Sequence, residues 1–191
     1  MISEAAITTR NVDGRAHVTP LGYRMCGDDV LLAPFVPSRT LDNLRRHPFA
    51  VLNFTDDVRV IAGPLTGHRA WPCVAATQVD VPRLADSLAH WEMEVVACTE
   101  DVTRPVFTCR VRHRAMHSPF LGFNRAQAAV VELAVLVSRL DWLPPEKVRH
   151  ELAYLRIAVE KTAGPREWEA WRWLEQAVVR HPRHVPEGAL E

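Results

Sequence analysis

The chain has 191 residues, is 48% apolar and balances 23 basic against 23 acidic side chains, so it can bury one good core with an appendage but not two full-sized domains. Because the charges cancel, no global field recruits nucleic acid or an anionic membrane. The start MISEAAITTRN has no apolar core of signal length, and no apolar run approaches the roughly 18 to 20 residues that span a bilayer. A cytoplasmic protein with no nucleic-acid or membrane partner is expected. Cys26, Cys73, Cys98 and Cys109 are widely spaced, form no C-x-x-C pair and lie in apolar or strand-like contexts, as buried reduced thiols would.

Up to about residue 117 the sequence favours strands. EAAITTR, then AHVTPLGYRM after the turn-like Asn11-Val12-Asp13-Gly14, then VLLAPF after Gly27-Asp28-Asp29 read as antiparallel neighbours. A short helix is expected over residues 40–47, stopped by Pro48, and another over 82–90, where Leu84 and Leu88 share a face. Trp91, Met93, Val95 and Ala97 alternate with Glu92 and Glu94, and Phe107, Cys109, Val111 and His113 alternate with Thr108, Arg110, Arg112 and Arg114. This period of two marks half-buried strands of a closed or nearly closed barrel. Val58 to Ala76 carries no pattern that assigns it. From Asn124 the period becomes helical, with helices expected over 124–140, 145–162 and 165–180: Asn124-x-x-Gln127 resembles a capping box, Pro145 suits a first turn, and Gly164-Pro165 separates the last two. Trp168, Trp171, Leu174 and Val178 form one stripe, read as core or interface packing. The tail HPRHVPEGALE is expected to fray.

Several constellations are set aside. Cys109, His113 and His117 are spaced by four, but on a strand such residues lie about 13 Å apart, too far to share one zinc ion, so no metal site is expected. Arg110, Arg112 and Arg114 read as a solvated or subunit-facing strand face. No G-x-S-x-G, G-x-G-x-x-G, Walker loop or H-E-x-x-H occurs. Glu132 interrupts the apolar AQAAVVELAVLV and reads as a buried carboxylate paired with Arg125 or Arg139, seven residues away on either side. Asn124 is explained as a helix cap.

The segment PSRTLDNLRRHPFAVLNFTDD, residues 37–57, is richer. Ser38 or Thr40 could merely cap the helix and Arg39 could be solvated. Together, a helix N-terminus with free N–H groups, two hydroxyls and an arginine fork suit a phosphate monoester. Arg45 and Arg46 add positive potential, and Asn43, one turn on, can face the side of Thr40. Asn53 and Thr55 share a strand face with Phe49 and Val51, a grading from apolar to hydrogen-bonding that suits a ligand with a flat apolar part and a polar tail.

The run of AHVTPLG, VLLAPF, SRTLDNL and AVLNFTDD resembles the FMN-binding split barrels, the flavin reductase-like and pyridoxamine-phosphate-oxidase-like proteins. With GFNRAQAAVVE and the helical tail it is similar to a small uncharacterised branch of that superfamily, found in archaea and in some bacteria with pterin-linked one-carbon metabolism. The resemblance implies an α+β protein: an antiparallel six-stranded Greek-key split β-barrel over residues 1–120 with short inserted helices, and a C-terminal three-helix extension over 121–191. It further implies a homodimer holding FMN near the subunit interface. Ser38, Arg39, Thr40 and Asn43 would hold the phosphate, and the ring would lie against Thr19, Pro20, Leu21 and Gly22. Asn53 and Thr55 would reach its polar edge or the ribityl chain. An FMN-dependent oxidoreductase is then expected, acting between a nicotinamide or other donor and a small-molecule substrate, with no protein nucleophile or base to name. The alternatives are a non-catalytic flavin-binding or sensing protein and a deazaflavin-dependent reductase.

Overall fold

In the computed structural model, which describes residues 1–184, β1 (Ser3–Arg10), β2 (Ala16–Cys26), β3 (Asp29–Leu32), α1 (Arg39–Arg46), β4 (Phe49–Phe54) and α2 (Arg59–Thr66) come first. They are followed by β5 (Cys73–Val74), β6 (Arg83–Leu84), β7 (Ala89–Thr99), β8 (Val106–Met116), α3 (Arg125–Val137), α4 (Pro145–Thr162) and α5 (Pro165–Arg180). Six strands close an antiparallel barrel in the order β1-β2-β3-β8-β7-β4, the expected fold. The chain forms two compact units. The first is Met1–Asp56 with Arg69–Phe120, and the second is Asp57–His68 with the chain from Leu121 onward.

In the barrel unit, Gly14 (φ 82°) and Gly27 (φ 61°) occupy the left-handed region that the β1–β2 and β2–β3 turns require. Ile7, Val30, Leu32, Leu52, Met93, Phe107 and Cys109 fill the interior, and Leu41 and Leu44 of α1 pack on the same cluster. Closure alone does not bury every strand twice. Residues 75–84 fold over the outer face of β4 and β7, where Val79 and Val81 pack on Val51, so alternate residues of both strands are buried on opposite sides.

This cover explains two departures from the expected pattern. No helix forms over 82–90: β6 and the start of β7 lie there instead, because Leu84 and its neighbours serve the cover and not a helical face. Glu92, expected on a solvated face, is fully buried. The thiols also differ from expectation. All four are free, but only Cys109 is buried, Cys73 is intermediate, and Cys26 and Cys98 are exposed.

In the helical unit, α2 fills the stretch that carried no pattern. Its Pro64 and central Gly63 obscure a helical signature, yet Val58 and Ala62 join the core formed by Ala126, Val130, Leu133, Val148, Val159, Trp171 and Leu174. Asp57 and Glu169 both bind the Arg59 guanidinium, tying α2 to α5. Helices α4 and α5 have the expected bounds, and Asn124 caps α3 by accepting from the N–H groups of Ala126 and Gln127. Helix α3 ends at Val137, three residues earlier than expected. Glu132 is exposed, as are Arg125 and Arg139, and no ion pair joins it to either among the described residues. The helix is buried along one side only, so Glu132, on the other side, meets water. Of the expected frayed tail, His181 and His184 bond to Asp141 and Leu140, and residues 185–191 lie outside the described residues. No described helix is long and apolar enough to cross a membrane.

Candidate functional site

Helix α1 starts one residue earlier than its apolar pattern implied, because Ser38 in extended conformation caps it, its Oγ accepting from the N–H of Leu41 at 3.3 Å. The remaining first-turn N–H groups therefore point out of the helix beside Arg39, which is exposed, and Thr40, which is buried. The other cations of α1 are engaged. Arg45 pairs with Glu100 at 2.6 Å, and Arg46 donates to the Arg10 carbonyl and to Asn43 Oδ1. Arg39 makes no ion pair with a carboxylate among the described residues.

Strand β2 forms a second wall. Its residues Ala16–Tyr23 pair with β1, setting Thr19 opposite Ile7, Pro20 opposite Ala6, Leu21 opposite Ala5 and Gly22 opposite Glu4. Its pairing with β3 covers only Tyr23–Cys26. From His17 to Gly22 one strand edge therefore carries backbone groups that the barrel does not use, and Pro20, lacking an N–H, is tolerated at such an edge. His17 links the two walls electrostatically. Burial, then the cations Arg39 and Arg69, lower its pKa from 6.5 to about 4. A half-buried imidazole whose charged form is disfavoured by burial and by the fields of two guanidinium groups marks a locally positive, partly desolvated spot, which suits an anion. His17 and Arg69 were not singled out from the sequence. They lie outside the helix-capping segment, and only the folding of β2 against α1 brings His17 there.

The two asparagines are occupied by the protein itself. Asn43 Nδ2 donates to Thr9 Oγ1 at 3.0 Å and Asn11 Oδ1 at 3.1 Å, fastening α1 to β1 and the following turn. Asn53, fully buried, donates from Nδ2 to Thr8 Oγ1 at 2.8 Å and lies within bonding distance of the Ala6 and Val51 carbonyls, while its Oδ1 accepts from the Leu84 N–H at 2.9 Å. The face that grades from Phe49 and Val51 to Asn53 is thus covered by residues 75–84. Thr55, half-buried, follows the end of β4. Asn53→Ala should lower the unfolding free energy by about 1–3 kcal/mol, since Leu84 N–H and Thr8 lose a buried partner. Urea unfolding at an unchanged midpoint would show that the amide is dispensable.

Glu92 of β7, opposite Val51 of β4, anchors the same cover from the neighbouring strand. Burial alone would raise its pKa, but N–H donors from Thr77 (2.7 Å), Gln78 (2.5 Å) and Val79 (3.0 Å) and the ring of His90 (3.0 Å) hold it down at about 2.

Comparison with solved structures finds the same fold in several other proteins. An FMN-bound protein of Methanosarcina mazei superposes with a TM-score of 0.76 at 19% identity, over 92% of this chain and 94% of that one. A 2-nitrobenzoate 2-nitroreductase of Pseudomonas fluorescens matches at TM-score 0.53 and 18% identity over 60% of this chain and 64% of its own. The flavin reductase of a Pseudomonas putida styrene monooxygenase matches at 0.51 and 16% over 62% and 82%. The likeness to flavin reductase-type split barrels expected from the sequence is therefore borne out as a fold. Residues 3–118 match the family model described as "Protein of unknown function (DUF447) N-terminal domain", and residues 124–176 match its companion "Protein of unknown function (DUF447)". With both parts matched in order along its length, the chain belongs to the DUF447 family.

Proposed function

We propose that the protein binds FMN and works as an FMN-dependent oxidoreductase on a small-molecule substrate, with a nicotinamide as electron donor. The observation that carries this reading is the positive cradle formed by the Ser38-capped start of α1, Arg39, Thr40, His17 and Arg69. A dianionic phosphate monoester fits it, because outward N–H groups, a guanidinium fork and a desolvated neutral imidazole can all donate to phosphate oxygens. Thr19, Pro20, Leu21 and Gly22 offer an open strand edge to a flat heterocycle with its own donors and acceptors. Asn43 and Asn53 then act by fastening α1 and β4, and Thr55 stands at the far end of β4. Bound flavin would supply the redox chemistry, and the chain supplies position and electrostatics. The FMN-bound Methanosarcina mazei relative supports this choice of cofactor.

The purified protein should be yellow or become so on addition of FMN, and NADH or NADPH should bleach it anaerobically. Failure to take up FMN sinks the cofactor assignment. Uptake without bleaching by any tested donor favours a flavin-binding or sensing protein. A deazaflavin with a longer charged tail would need basic residues beyond Arg39 and Arg69.

We further infer a cytoplasmic homodimer. Free thiols suit a reducing compartment. Phe35, Met116 and Phe120 in the barrel unit, and Trp142, Tyr154 and Ile157 in the helical unit, are exposed apolar groups of a kind that association covers. Sedimentation equilibrium at micromolar concentration should give twice 21.6 kDa, and a monomer alone would refute the dimer.

A further inference from the structure

A second constellation lies on the outer face of the β7–β8 ladder, separate from the anion cradle. His90 and Glu92 are two apart on β7 and share a face. Across the ladder Glu92 faces His113, His90 faces Ala115, and the His117 N–H bonds to the Leu88 carbonyl. The register is irregular here: Glu92 pairs with His113 but Met93 pairs with Val111, so Arg112 is an extra residue on β8. This bulge turns His113 out of the alternation of Phe107, Cys109 and Val111 and sets it on the face of Glu92, as bulges re-aim side chains.

One donor atom from each of His90, Glu92 and His113 lies within 4.8 Å of the other two. His90 Nε2 and Glu92 Oε1 are already 3.0 Å apart. Ligands around a zinc-type ion at about 2.0–2.2 Å stand roughly 3.3–3.6 Å from one another, so His113 needs a shift of at most about 1.5 Å, within reach of side-chain rotation. His90 Nδ1 is 2.8 Å from His117 Nε2, with the two rings coplanar to 3°. With Nε2–H the ring donates to Glu92 Oε1; with the proton on Nδ1, donated to His117, Nε2 is free to bind a cation together with Glu92 Oε1. Metal-bound histidines are oriented by such a bond from the other ring nitrogen. A proton shared between His90 and Glu92 would also satisfy those atoms, but it gives His113 no part. Three backbone N–H donors fix the Glu92 carboxylate in place. His90 and Glu92 are buried and fixed, whereas His113 is half-buried and borders an open depression of about 520 Å³ through which an ion can arrive. Of the three arginines that line that depression, Arg110 and Arg112 are paired with Asp29 and Glu94, which weakens their repulsion of a cation, and Arg114 lies over the Trp91 ring.

We propose that His90, Glu92 and His113 bind a divalent transition-metal ion of the zinc type, with His117 as the residue that positions the His90 ring. Two imidazoles and one carboxylate suit such an ion better than calcium or magnesium, and three protein ligands leave a coordination position for water or a ligand atom. The site does not depend on the flavin reading.

The test uses the full chain, stripped with chelator. Zinc titration by calorimetry should give one saturable site per chain, and cobalt(II) should develop the absorption of a nitrogen- and oxygen-bound ion of low coordination number. His117→Ala should weaken binding about 10- to 100-fold, and His113→Ala should weaken it further. His117 is exposed and His113 is only half-buried, so the variants should keep the wild-type circular dichroism and urea midpoint. His150→Ala, on exposed α4 surface, should bind as wild type does. The site is overturned if the wild-type chain takes up no zinc or cobalt, which leaves a proton-bridged His90–Glu92 pair. It is equally overturned if folded His113→Ala binds with unchanged affinity, which assigns the ion to other histidines.

Discussion

Arg39→Ala is expected to weaken FMN binding about ten- to hundredfold, the equivalent of charge-assisted hydrogen bonds worth roughly 1.5–3 kcal/mol, and to leave riboflavin affinity nearly unchanged. Riboflavin carries the same ring and ribityl chain without the phosphate, so the difference between the two ligands isolates the phosphate contact from any folding defect. Thr40→Val should show the same selectivity with a smaller loss, because a neutral hydroxyl donates more weakly than a guanidinium. A second readout needs no flavin. The His17 ring titrates near 4 when folded against 6.5 when free, with burial the larger cause and Arg39 and Arg69 the next. The folded state is thus the poorer proton binder, so stability declines as pH falls from 6.5 toward 4. Removing Arg39 should raise the folded pKa part of the way, leaving the contribution of burial, and should soften that decline. Nuclear magnetic resonance titration of the ring measures the change directly. Equal losses for FMN and riboflavin, or an unmoved His17, would return residues 38–40 to the role of an ordinary helix cap.

The barrel strands and the last two helices were legible because they follow simple rules. Period-two alternation, glycine turns, Pro145 and Gly164-Pro165 act locally; the structure keeps the bounds of the last two helices, while β3 stops at Leu32, short of the expected VLLAPF. The capped start of α1 was legible for the same reason. The rest depended on tertiary events. Residues 75–84 cover a strand face that alternation reads as solvated, which buries Glu92, occupies Asn53 and replaces a short helix. The extra residue Arg112 flips His113 to the other face, and no local signal announces a bulge. The rejection of Cys109, His113 and His117 as a zinc set took the three as one regular strand, whereas Arg112 is an extra residue between Cys109 and His113, and His117 lies past the end of β8. It overlooked that ligands can come two apart from one strand and opposite from the next. The helical residues 59–66 escaped because Gly63 and Pro64 weaken the pattern, while packing in the helical unit supplies the stability that propensity lacks.

Glu92→Gln should cost about 3–5 kcal/mol of folding stability, the range for breaking a buried, hydrogen-bonded charge. The wild-type carboxylate is fully buried, with Oε1 accepting from Thr77 N–H and facing His90 Nε2, and Oε2 accepting from the N–H groups of Gln78 and Val79. A glutamine of the same shape replaces one oxygen by a donor, so whichever way the amide turns, one of these pairs meets N–H with N–H. Each buried donor left unpaired costs about 1–3 kcal/mol, and the surviving bonds weaken with the lost charge. Against a total stability of about 5–15 kcal/mol this is a large share. Glu94→Gln provides the control. It lies on the same strand but faces Arg112 at the partly exposed surface, where such a pair is worth at most about 1 kcal/mol. The loss at position 92 should be local in character, since the released donors belong to the segment whose Val79 and Val81 cover Val51. Amide hydrogen exchange at residues 77–79 should therefore accelerate more than exchange in the barrel interior. Urea unfolding of both variants at neutral pH is the first measurement. Equal stability losses at 92 and 94, or unchanged exchange at 77–79, would mean that Glu92 does not hold the cover to the barrel.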